Sequence, residues 1–306
     1  MPDVTVGVRL PHEAALDGAR LREFVARVDD TPIERVFAGD HVTFRDGTGF
    51  DGLQYATAIA ALSARITVQT AVYLLPLRHP VPVARQLATL AWLAPGRVVF
   101  GVGVGGEDPD EVRACGVDPA TRGRRLDEAL PIVRDLLAGR AVTVAGSCFQ
   151  LDGVRIAPPP PVGVPIVVGG RSEAALRRTG RFADGWLGVW VSPGRYAAAC
   201  AQVAEHARAA GREVQRWSHG MHVWCGFGAD RDAARRRLAG EMEALYGVPF
   251  ERFERYCPYG SPEQVADALR PYLATGCRSV NLIATAPTPA DAVDGALAVR
   301  SLLRAD

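Results

Sequence analysis

One segment restricts the fold of this chain more than any other feature: an apolar strand, an amphipathic helix and a second apolar strand in direct succession. Ile66–Tyr73 is rich in β-branched residues, Pro80–Leu93 carries apolar side chains at helical spacing, and Arg97–Gly103 is again apolar. Such a βαβ unit has parallel strands that are covered on both faces. Glycines follow the second strand, where they let a flat ligand lie close to the backbone. The segment therefore predicts a parallel α/β fold with its active site at the carboxyl ends of the strands.

The alternation of strand and helix continues along the whole chain. Strands are expected at Val4–Leu10, Ile33–Ala38, Ile66–Tyr73, Arg97–Gly103, Pro165–Val168, Gly185–Trp190, His219–Phe227 and Ser279–Ala284. Helices are expected at Leu16–Val28, Asp51–Ser63, Pro80–Leu93, Arg122–Leu137, Ser172–Gly180, Pro193–Ala210, Asp230–Tyr246, Pro262–Thr275 and Pro289–Leu303. A hairpin over Val142–Leu151 and a stiff run at Pro158–Pro161 are short insertions. Since the composition does not change at mid-chain, the pattern predicts a single-domain (β/α)8 TIM barrel over residues 1–306.

The charge balance argues against two classes of partner. The formal net charge is +1 and no tail is dense in basic residues, so neither nucleic acid nor an anionic membrane surface is an expected partner. No signal-peptide pattern opens the sequence and no apolar run is long enough to cross a bilayer, which predicts a cytoplasmic protein. The six cysteines form no Cys-x-x-Cys pair, and all six are expected to be buried free thiols.

Lysine is absent from the chain, so all 35 residues counted as lysine or arginine are arginine. This excludes enzymes that form a Schiff base through lysine, pyridoxal enzymes, Walker P-loops and Ser-x-x-Lys hydrolases. Arginine in place of lysine, with abundant alanine, also indicates a GC-rich genome.

Two short motifs lie at expected strand ends. Asp40-His41 closes the second strand, where barrel enzymes place acids and bases. The alternative for this pair is a capping aspartate and a packed histidine. Gly169-Gly170 begins a strand-to-helix turn, whose backbone N–H groups suit an anion, although the same glycines also serve any tight turn.

Two further patterns look like functional motifs but are not interpreted as such. Gly101-x-Gly103-x-x-Gly106 matches the dinucleotide fingerprint, but Pro109 follows closely and the strand is the fourth of the chain. These glycines are therefore expected to lie beneath a planar ring in a barrel rather than to form a Rossmann site. His219 and His222 have an odd spacing, which sends strand side chains to opposite faces, so no metal site is expected.

A series of motifs along nearly the whole chain carries a resemblance to a known family. The motifs are Gly39-Asp40-His41, Thr70-Ala71-Val72, Leu77-Arg78-His79-Pro80, Ala84–Leu90, Pro95-Gly96-Arg97, Gly101-Val102-Gly103, Arg122–Glu128, Val168-Gly169-Gly170 and Ala183–Trp186. In this order they resemble the bacterial luciferase-like monooxygenase superfamily, in particular its coenzyme F420-dependent oxidoreductases.

The resemblance implies a flavin-like ring at the carboxyl mouth of the barrel. The cofactor-binding residues that it implies are Asp40, Thr70, Ala71, Val72, Val104, Gly105, Gly106, Gly169 and Gly170, with Ser192 as the alternative site for the phosphate. The implied catalytic residues are His41, Asp40 and Glu107. A bulge is expected to end strand three, with a non-prolyl cis peptide between Ala71 and Val72 that presses the backbone against the ring.

One residue departs from the pattern of the family. Some sugar-phosphate dehydrogenases of the group carry a catalytic glutamate directly after the first glycine of the loop, where this chain has Gly106, and Glu107 comes one position later. The lysine with which those enzymes contact phosphate is also missing. A sugar phosphate is therefore not the expected substrate.

The function expected from these observations is hydride transfer between coenzyme F420 and a small organic substrate, with His41 moving a proton. One alternative is a monooxygenase that takes reduced FMN from a partner reductase, and another is a flavin-binding protein without catalysis. The expected assembly is a homodimer. Substrate identity is expected to depend on the loops at Arg45–Asp51 and Val248–Ser261, which match no known motif.

Overall fold

The computed structural model describes residues 4–105 and 108–305. Its strands are β1 (Thr5–Arg9), β2 (Arg35–Ala38), β3 (Thr67–Thr70), β4 (Val98–Val102), β5 (Val142–Ala145), β6 (Gln150–Val154), β7 (Ile166–Gly169), β8 (Gly185–Val189), β9 (Gly220–Phe227), β10 (Tyr259–Gly260) and β11 (Ser279–Thr285). Its helices are α1 (His12–Ala15), α2 (Gly18–Asp29), α3 (Gly52–Leu62), α4 (Pro80–Leu93), α5 (Pro109–Ala114), α6 (Arg122–Leu137), α7 (Glu173–Phe182), α8 (Pro193–Ala209), α9 (Arg231–Tyr246), α10 (Pro262–Ala274) and α11 (Pro289–Ala305).

The strand order confirms the predicted fold class. One sheet runs in the order β10-β9-β11-β1-β2-β3-β4-β7-β8, and β8 also pairs with β9. This second pairing closes a ring of eight parallel strands with helices between them, which is a (β/α)8 barrel. The predicted hairpin is confirmed as the antiparallel pair of β5 and β6.

The described chain groups into two compact units. The first unit holds the described residues of Met1–Phe37, Leu187–Gln202 and Ser218–Asp306, and the second unit holds those of Ala38–Trp186 and Val203–Trp217. A single domain over residues 1–306 stays a prediction.

In the second unit, β3, β4 and β7 form a parallel ladder in which Gln69 faces Val99 and Val102 faces Val168. The predicted helix bounds Pro80–Leu93 are confirmed by α4. The start of this helix is stabilised because Pro80 occupies its first turn and the His79 side chain accepts a hydrogen bond from Val81 N. The predicted bounds of Arg122–Leu137 are likewise those of α6.

In the first unit, β1 pairs in parallel with β2 and β11, and β11 pairs with β9. An arginine side chain lies on this ladder, where Arg35 Nη1 donates to Ser279 Oγ over 2.6 Å and to Asn281 Oδ1 over 3.2 Å. A Cβ at Gly7 would lie 2.7 Å from Asn281 Oδ1. Glycine at this position therefore makes room for the polar side chains.

Three local predictions are wrong. The strand predicted over Ile66–Tyr73 ends at Thr70, because the chain changes neighbours between Ala71, which donates to Ala38 O, and Tyr73, which donates to Gly101 O. Helix α5 was not expected, and the region 248–261 holds two short 3-10 turns and strand β10. Cys115, Cys148 and Cys200 are half-buried rather than buried, while the other cysteines are buried and all six are free thiols.

Two arginines on helix surfaces have fixed partners. Arg125 Nε donates to Pro76 O over 2.8 Å, and Arg235 Nε donates to Glu254 Oε1 over 2.6 Å. Periodicity places such side chains on a polar face but does not identify partners that are distant in sequence. Within residues 4–105 and 108–305, none of the helices has the length and apolar character that spanning a membrane requires.

Candidate active site

The carboxyl ends of β3, β4 and β7 form a floor of small and apolar groups in the second unit. The last residues of the ladder, Thr70, Val102 and Val168, are buried. The residues that follow or end these strands are half-buried, and they are Ala71, Val72, Val104, Gly105, Gly169 and Gly170. None of these six carries a charge. We call this set the strand-end floor.

The backbone of the strand-end floor bends at Ala71–Val72, and the predicted non-prolyl cis peptide bond is confirmed there. Ala71 N donates to Ala38 O over 2.8 Å, whereas Tyr73 N donates to Gly101 O over 2.7 Å. The chain thus leaves one neighbouring segment and joins another within two residues.

The Val72 side chain fills the space left by two glycines. A Cβ at Gly103 would lie 2.5 Å from Val72 Cγ2, and a Cβ at Gly169 would lie 2.9 Å from Val72 Cγ1. Real Cβ atoms do not approach side chains this closely. Gly103 and Gly169 are therefore required for the conformation of Val72 that the structure has.

The Thr70 side chain, which was expected to bind the cofactor, makes two hydrogen bonds within the ladder, and cofactor binding by Thr70 stays a prediction. Thr70 Oγ1 donates to Gly101 O over 2.8 Å and accepts from Gly101 N over 3.0 Å. A side chain at Gly101 would collide with the Thr70 carbonyl oxygen. Thr70 therefore fixes the edge of the strand-end floor through β4.

Asp40 is buried at the end of β2, with none of its side chain exposed. Its Oδ1 accepts from Gly52 N and Arg78 Nη2, each over 2.9 Å. Its Oδ2 accepts from Leu74 N over 2.9 Å and from Arg78 Nη1 over 2.5 Å. Burial raises the pKa of the Asp40 carboxyl, and the Arg78 charge and the two backbone donors oppose that rise.

These four donors occupy both oxygens of Asp40, so the carboxylate connects α3, Leu74 and Arg78. The Arg78 guanidinium also stacks over the Tyr73 ring, 4.3 Å from its centroid. The geometry gives Asp40 a positioning role for the segment that follows the cis peptide. It was expected to act as a catalytic acid or base, and no lone pair is left for that task.

His41, the next residue, has an environment of a different kind. Its Nδ1 lies 3.0 Å from Glu111 Oε2, and its ring packs on Phe44 with centroids 4.3 Å apart. Glu111 is buried and also accepts from Val42 N over 2.6 Å. Because a carboxylate only accepts, Nδ1 carries the proton and Nε2 is the nitrogen that can take one. The His41 side chain is 31% exposed, so a substrate proton can reach it.

The Gly169-Gly170 turn leads into α7. Gly170 has φ of +121°, which favours glycine, and its carbonyl accepts from Trp186 Nε1 over 2.7 Å. Ser172 caps the helix, since its Oγ accepts from Ala175 N over 3.2 Å. The turn therefore leads directly into a capped helix, and its role as an anion site stays a prediction.

Gly106 and Glu107 lie outside the described residues. Ser192 belongs to the first unit, where it is exposed at the start of α8 and its Oγ accepts from Arg195 N.

Sequence reasoning missed Glu111 and the role of Arg78. The signal for α5 was present, because Asp108 followed by Pro109 is a helix start and Asp108 Oδ1 accepts from Asp110 N. That helix places Glu111 beside His41. Nothing local marks Arg78 as the partner of Asp40, which lies 38 residues earlier.

Comparisons with known proteins find relatives in sequence and a solved structure with the same fold. An uncharacterized protein of Mycobacterium tuberculosis is 38% identical over 145 residues, which is 47% of this chain and half the length of that relative. An F420-dependent glucose-6-phosphate dehydrogenase of Nakamurella multipartita is 28% identical over 288 residues and 85% of both chains. An F420-dependent secondary alcohol dehydrogenase, solved with an F420-acetone adduct, has a TM-score of 0.86 at 21% identity and covers 99% of both chains.

The family model of luciferase-like monooxygenases matches residues 5–254. This range spans most of the chain and contains the strand-end floor, Asp40, His41 and Glu111. The chain therefore belongs to the luciferase-like monooxygenase family.

Proposed function

We propose that this protein is an oxidoreductase that transfers a hydride between coenzyme F420 and a small organic substrate. The observation that carries the proposal is the strand-end floor in the same unit as the His41–Glu111 pair. The F420-dependent relatives at 28% sequence identity and at a TM-score of 0.86 support the choice of cofactor. The match covers only half of the length of the Mycobacterium tuberculosis relative. The activity of the whole protein therefore stays a proposal.

The strand-end floor fits a flat ring. Its six residues end neighbouring strands, are half-buried and present no charge. Side chains at Gly103 or Gly169 would meet Val72 and disturb the surface on which a ring would rest. Residues Ala71, Val72, Val104 and Gly105 would hold the ring, and the turn at Gly169-Gly170 would bind the phosphate of the cofactor through backbone N–H groups.

When bound, F420 accepts or gives a hydride at C5 of its deazaflavin ring. In the direction of alcohol oxidation, the substrate loses a hydride from carbon and a proton from its hydroxyl group. His41 Nε2 takes that proton, and Glu111 holds the imidazole in the tautomer that leaves this nitrogen free and stabilises the cation that forms. In the opposite direction, His41 returns the proton to the carbonyl oxygen.

Asp40 serves this arrangement without touching the reacting atoms. Its bonds to Leu74 N and Gly52 N hold the segments on both sides of the floor. We propose that Asp40 is a positioning residue and that His41 is the catalytic acid or base.

The test is a titration of the purified protein with F420 and, separately, with FMN, followed by the fluorescence of each ligand. We expect saturable binding of F420 and no binding of FMN at the same concentrations. Binding of FMN alone would replace the proposal with the alternative, a monooxygenase that uses reduced FMN. That activity is also consistent with the description of the family as luciferase-like monooxygenases. Binding of neither ligand would leave the strand-end floor without its assigned occupant and refute the proposal.

A further inference from the structure

A cavity of about 350 Å³ lies in the first unit, between β9, the segment 254–259 and α10. It is on the helix side of β9 rather than the barrel interior. His222 packs on Phe37 of β2, although β11 and β1 separate the two strands, so His222 points into the ring of strands. Successive strand residues point to opposite faces, and Val223, the next residue, lines the cavity. The cavity is therefore separated from the barrel interior by β9, and none of its described lining residues belongs to the strand-end floor.

The inner wall of the cavity is apolar. Val223, Cys257 and Leu269 line it and are buried, with at most 3% of each residue exposed. Tyr272 lies beside them and is also buried, and its Oη donates to Val191 O over 2.5 Å. A buried wall of this kind favours a ligand with an apolar body, such as an aromatic ring.

The rim of the cavity carries two arginines that lie over tyrosine rings. Arg231 Cζ lies 4.6 Å from the centroid of Tyr259, and Arg255 Cζ lies 4.6 Å from the centroid of Tyr256. Both arginines are exposed, and neither forms an ion pair with a carboxylate within residues 4–105 and 108–305. A guanidinium that lies over a ring keeps the N–H groups at its edge for an anion.

One carboxylate also lines the cavity, and its oxygens are already used. Glu254 Oε1 accepts from Arg235 Nε over 2.6 Å and from Tyr259 Oη over 2.8 Å, and its Oε2 accepts from Arg235 Nη2 over 2.9 Å. The hydrogen bonds from Arg235, and secondarily that from Tyr259, lower the pKa of the Glu254 carboxyl from 4.5 to about 2. Glu254 therefore stays ionised at neutral pH. The guanidiniums of Arg231 and Arg255 together with this carboxylate leave the lining with one positive charge in excess.

We propose that this cavity is a second ligand site, and that it binds a small monocarboxylate with an aromatic ring. The ring rests against the inner wall, and the carboxylate accepts hydrogen bonds from Arg231 and Arg255, whose planar forks match the two carboxylate oxygens. The volume is at the lower end of the range of about 300–1,000 Å³ that small-molecule sites occupy, which fits a ligand with one ring. The site is additional to hydride transfer and does not depend on the cofactor.

The test is calorimetric titration of the full chain, without cofactor, with 3-phenylpropionate, 3-phenylpropanamide and propionate at neutral pH. We expect saturable binding of 3-phenylpropionate. The amide lacks the charge and propionate lacks the ring, so each should bind at least about tenfold more weakly. The proposal is overturned if 3-phenylpropionate does not bind, or if either of the other two compounds binds as tightly.

Substitutions of the arginines test where the carboxylate binds. Arg231→Gln and Arg255→Gln should each weaken binding of 3-phenylpropionate about tenfold. Arg236→Gln and Arg252→Gln are the matched controls and should leave the affinity unchanged. Both control residues are exposed arginines close in sequence to the tested ones, and neither is among the described residues that line the cavity. Unchanged affinity in both Arg231→Gln and Arg255→Gln would place the ligand elsewhere and refute the site.

A variant that fills the cavity provides a second test without removing a charge. Ala268 is exposed on α10 and lines the cavity, so Ala268→Trp should abolish binding of 3-phenylpropionate while the fold is retained. Ala274→Trp is the control, because Ala274 is exposed at the end of the same helix and is not among the described lining residues. Thermal unfolding shows whether each variant is folded. A folded Ala268→Trp variant that binds as the parent protein does would contradict the proposal.

Discussion

Two neighbouring residues of the second unit, Asp40 and His41, have side-chain partners of different kinds. The Asp40 carboxylate is buried and paired with the Arg78 guanidinium, which keeps its charge at any pH that a protein tolerates. The Glu111 carboxylate is also buried, but its side-chain partner is the His41 imidazole, whose second ring nitrogen can accept a proton. The Asp40 carboxylate therefore holds neighbouring segments in place, whereas the Glu111 carboxylate holds the imidazole that we propose moves a proton.

The difference shows why a carboxylate next to a histidine is not by itself a catalytic pair. The sequence places Asp40 and His41 side by side, whereas the hydrogen bonds connect His41 to Glu111, 70 residues later. The partner of each group decides what it can do, and the following predictions test that division of roles.

The largest effect is expected for His41→Ala. If His41 moves the proton, turnover should fall about 10²–10⁴-fold while F420 affinity stays similar, because the ring of the cofactor rests on other residues. Steady-state kinetics and the F420 titration measure the two quantities. Glu111→Gln should lower turnover by less, since an amide oxygen still accepts from Nδ1. A His41→Ala variant with weaker F420 binding and normal turnover would make His41 a packing residue.

The second prediction concerns stability rather than turnover. Asp40→Asn removes the buried counter-charge of the Arg78 guanidinium, which is only 18% exposed, and leaves it only the Asp51 carboxylate, 3.3 Å away and 37% exposed. Breaking a buried ion pair in this way typically costs about 3–5 kcal/mol, so the midpoint of urea unfolding should fall clearly. Asp110→Asn is the matched control, because Asp110 is 87% exposed beside Arg113 and its ion pair should contribute little. Equal losses in the two variants would show that Asp40 does not organise this region.

Much of the fold that positions Asp40 and His41 could be predicted from local sequence. The bounds of α4 and α6 are as predicted because proline and glycine stop these helices and their apolar residues recur at helical spacing. The position of Asp40-His41 just after β2 and the turn at Gly169-Gly170 also follow from local chemistry. The cis peptide at Ala71–Val72 followed in part from the family resemblance.

The parts that could not be predicted depend on partners distant in sequence. Glu111 reaches His41 and Arg78 reaches Asp40 only when different strands and helices meet. The use of the Thr70 hydroxyl by Gly101 is likewise a cross-strand bond. Periodicity gives the face on which a residue lies and not the group that it meets.

The third prediction concerns the strand-end floor. Gly169→Val would bring a side chain against Val72, and we expect F420 affinity to fall about tenfold or more. Gly163→Val is the control, since no atom lies near the position of its Cβ. Fluorescence titration and thermal unfolding distinguish lost binding from lost folding. Retained affinity at native stability would move the phosphate elsewhere, with the turn at Ser192 as the next candidate.

The smallest effect tests a histidine that has no role in proton transfer. His222 lies on β9, where its ring packs edge to face on Phe37 at 5.0 Å. Burial, and secondarily the Arg9 charge, lowers the pKa of His222 from 6.5 to about 3. Its Nδ1 has no hydrogen-bond partner among the residues that the structure describes. Burial therefore disfavours the protonated form of the His222 imidazole.

A lowered pKa in the folded state fixes the direction of the pH dependence. Above pH 6.5 the imidazole is neutral in both states and the folded protein keeps its full stability. As the pH falls below this value, the unfolded chain binds a proton that folded His222 does not, so stability decreases by about 1 kcal/mol over the first pH unit. His222→Phe should reduce this slope in urea unfolding across that pH range. Phe37→Leu changes the same contact without a titrating group and should leave the slope intact. If the slope is the same in His222→Phe as in the parent protein, burial does not lower the pKa of His222 in the folded protein.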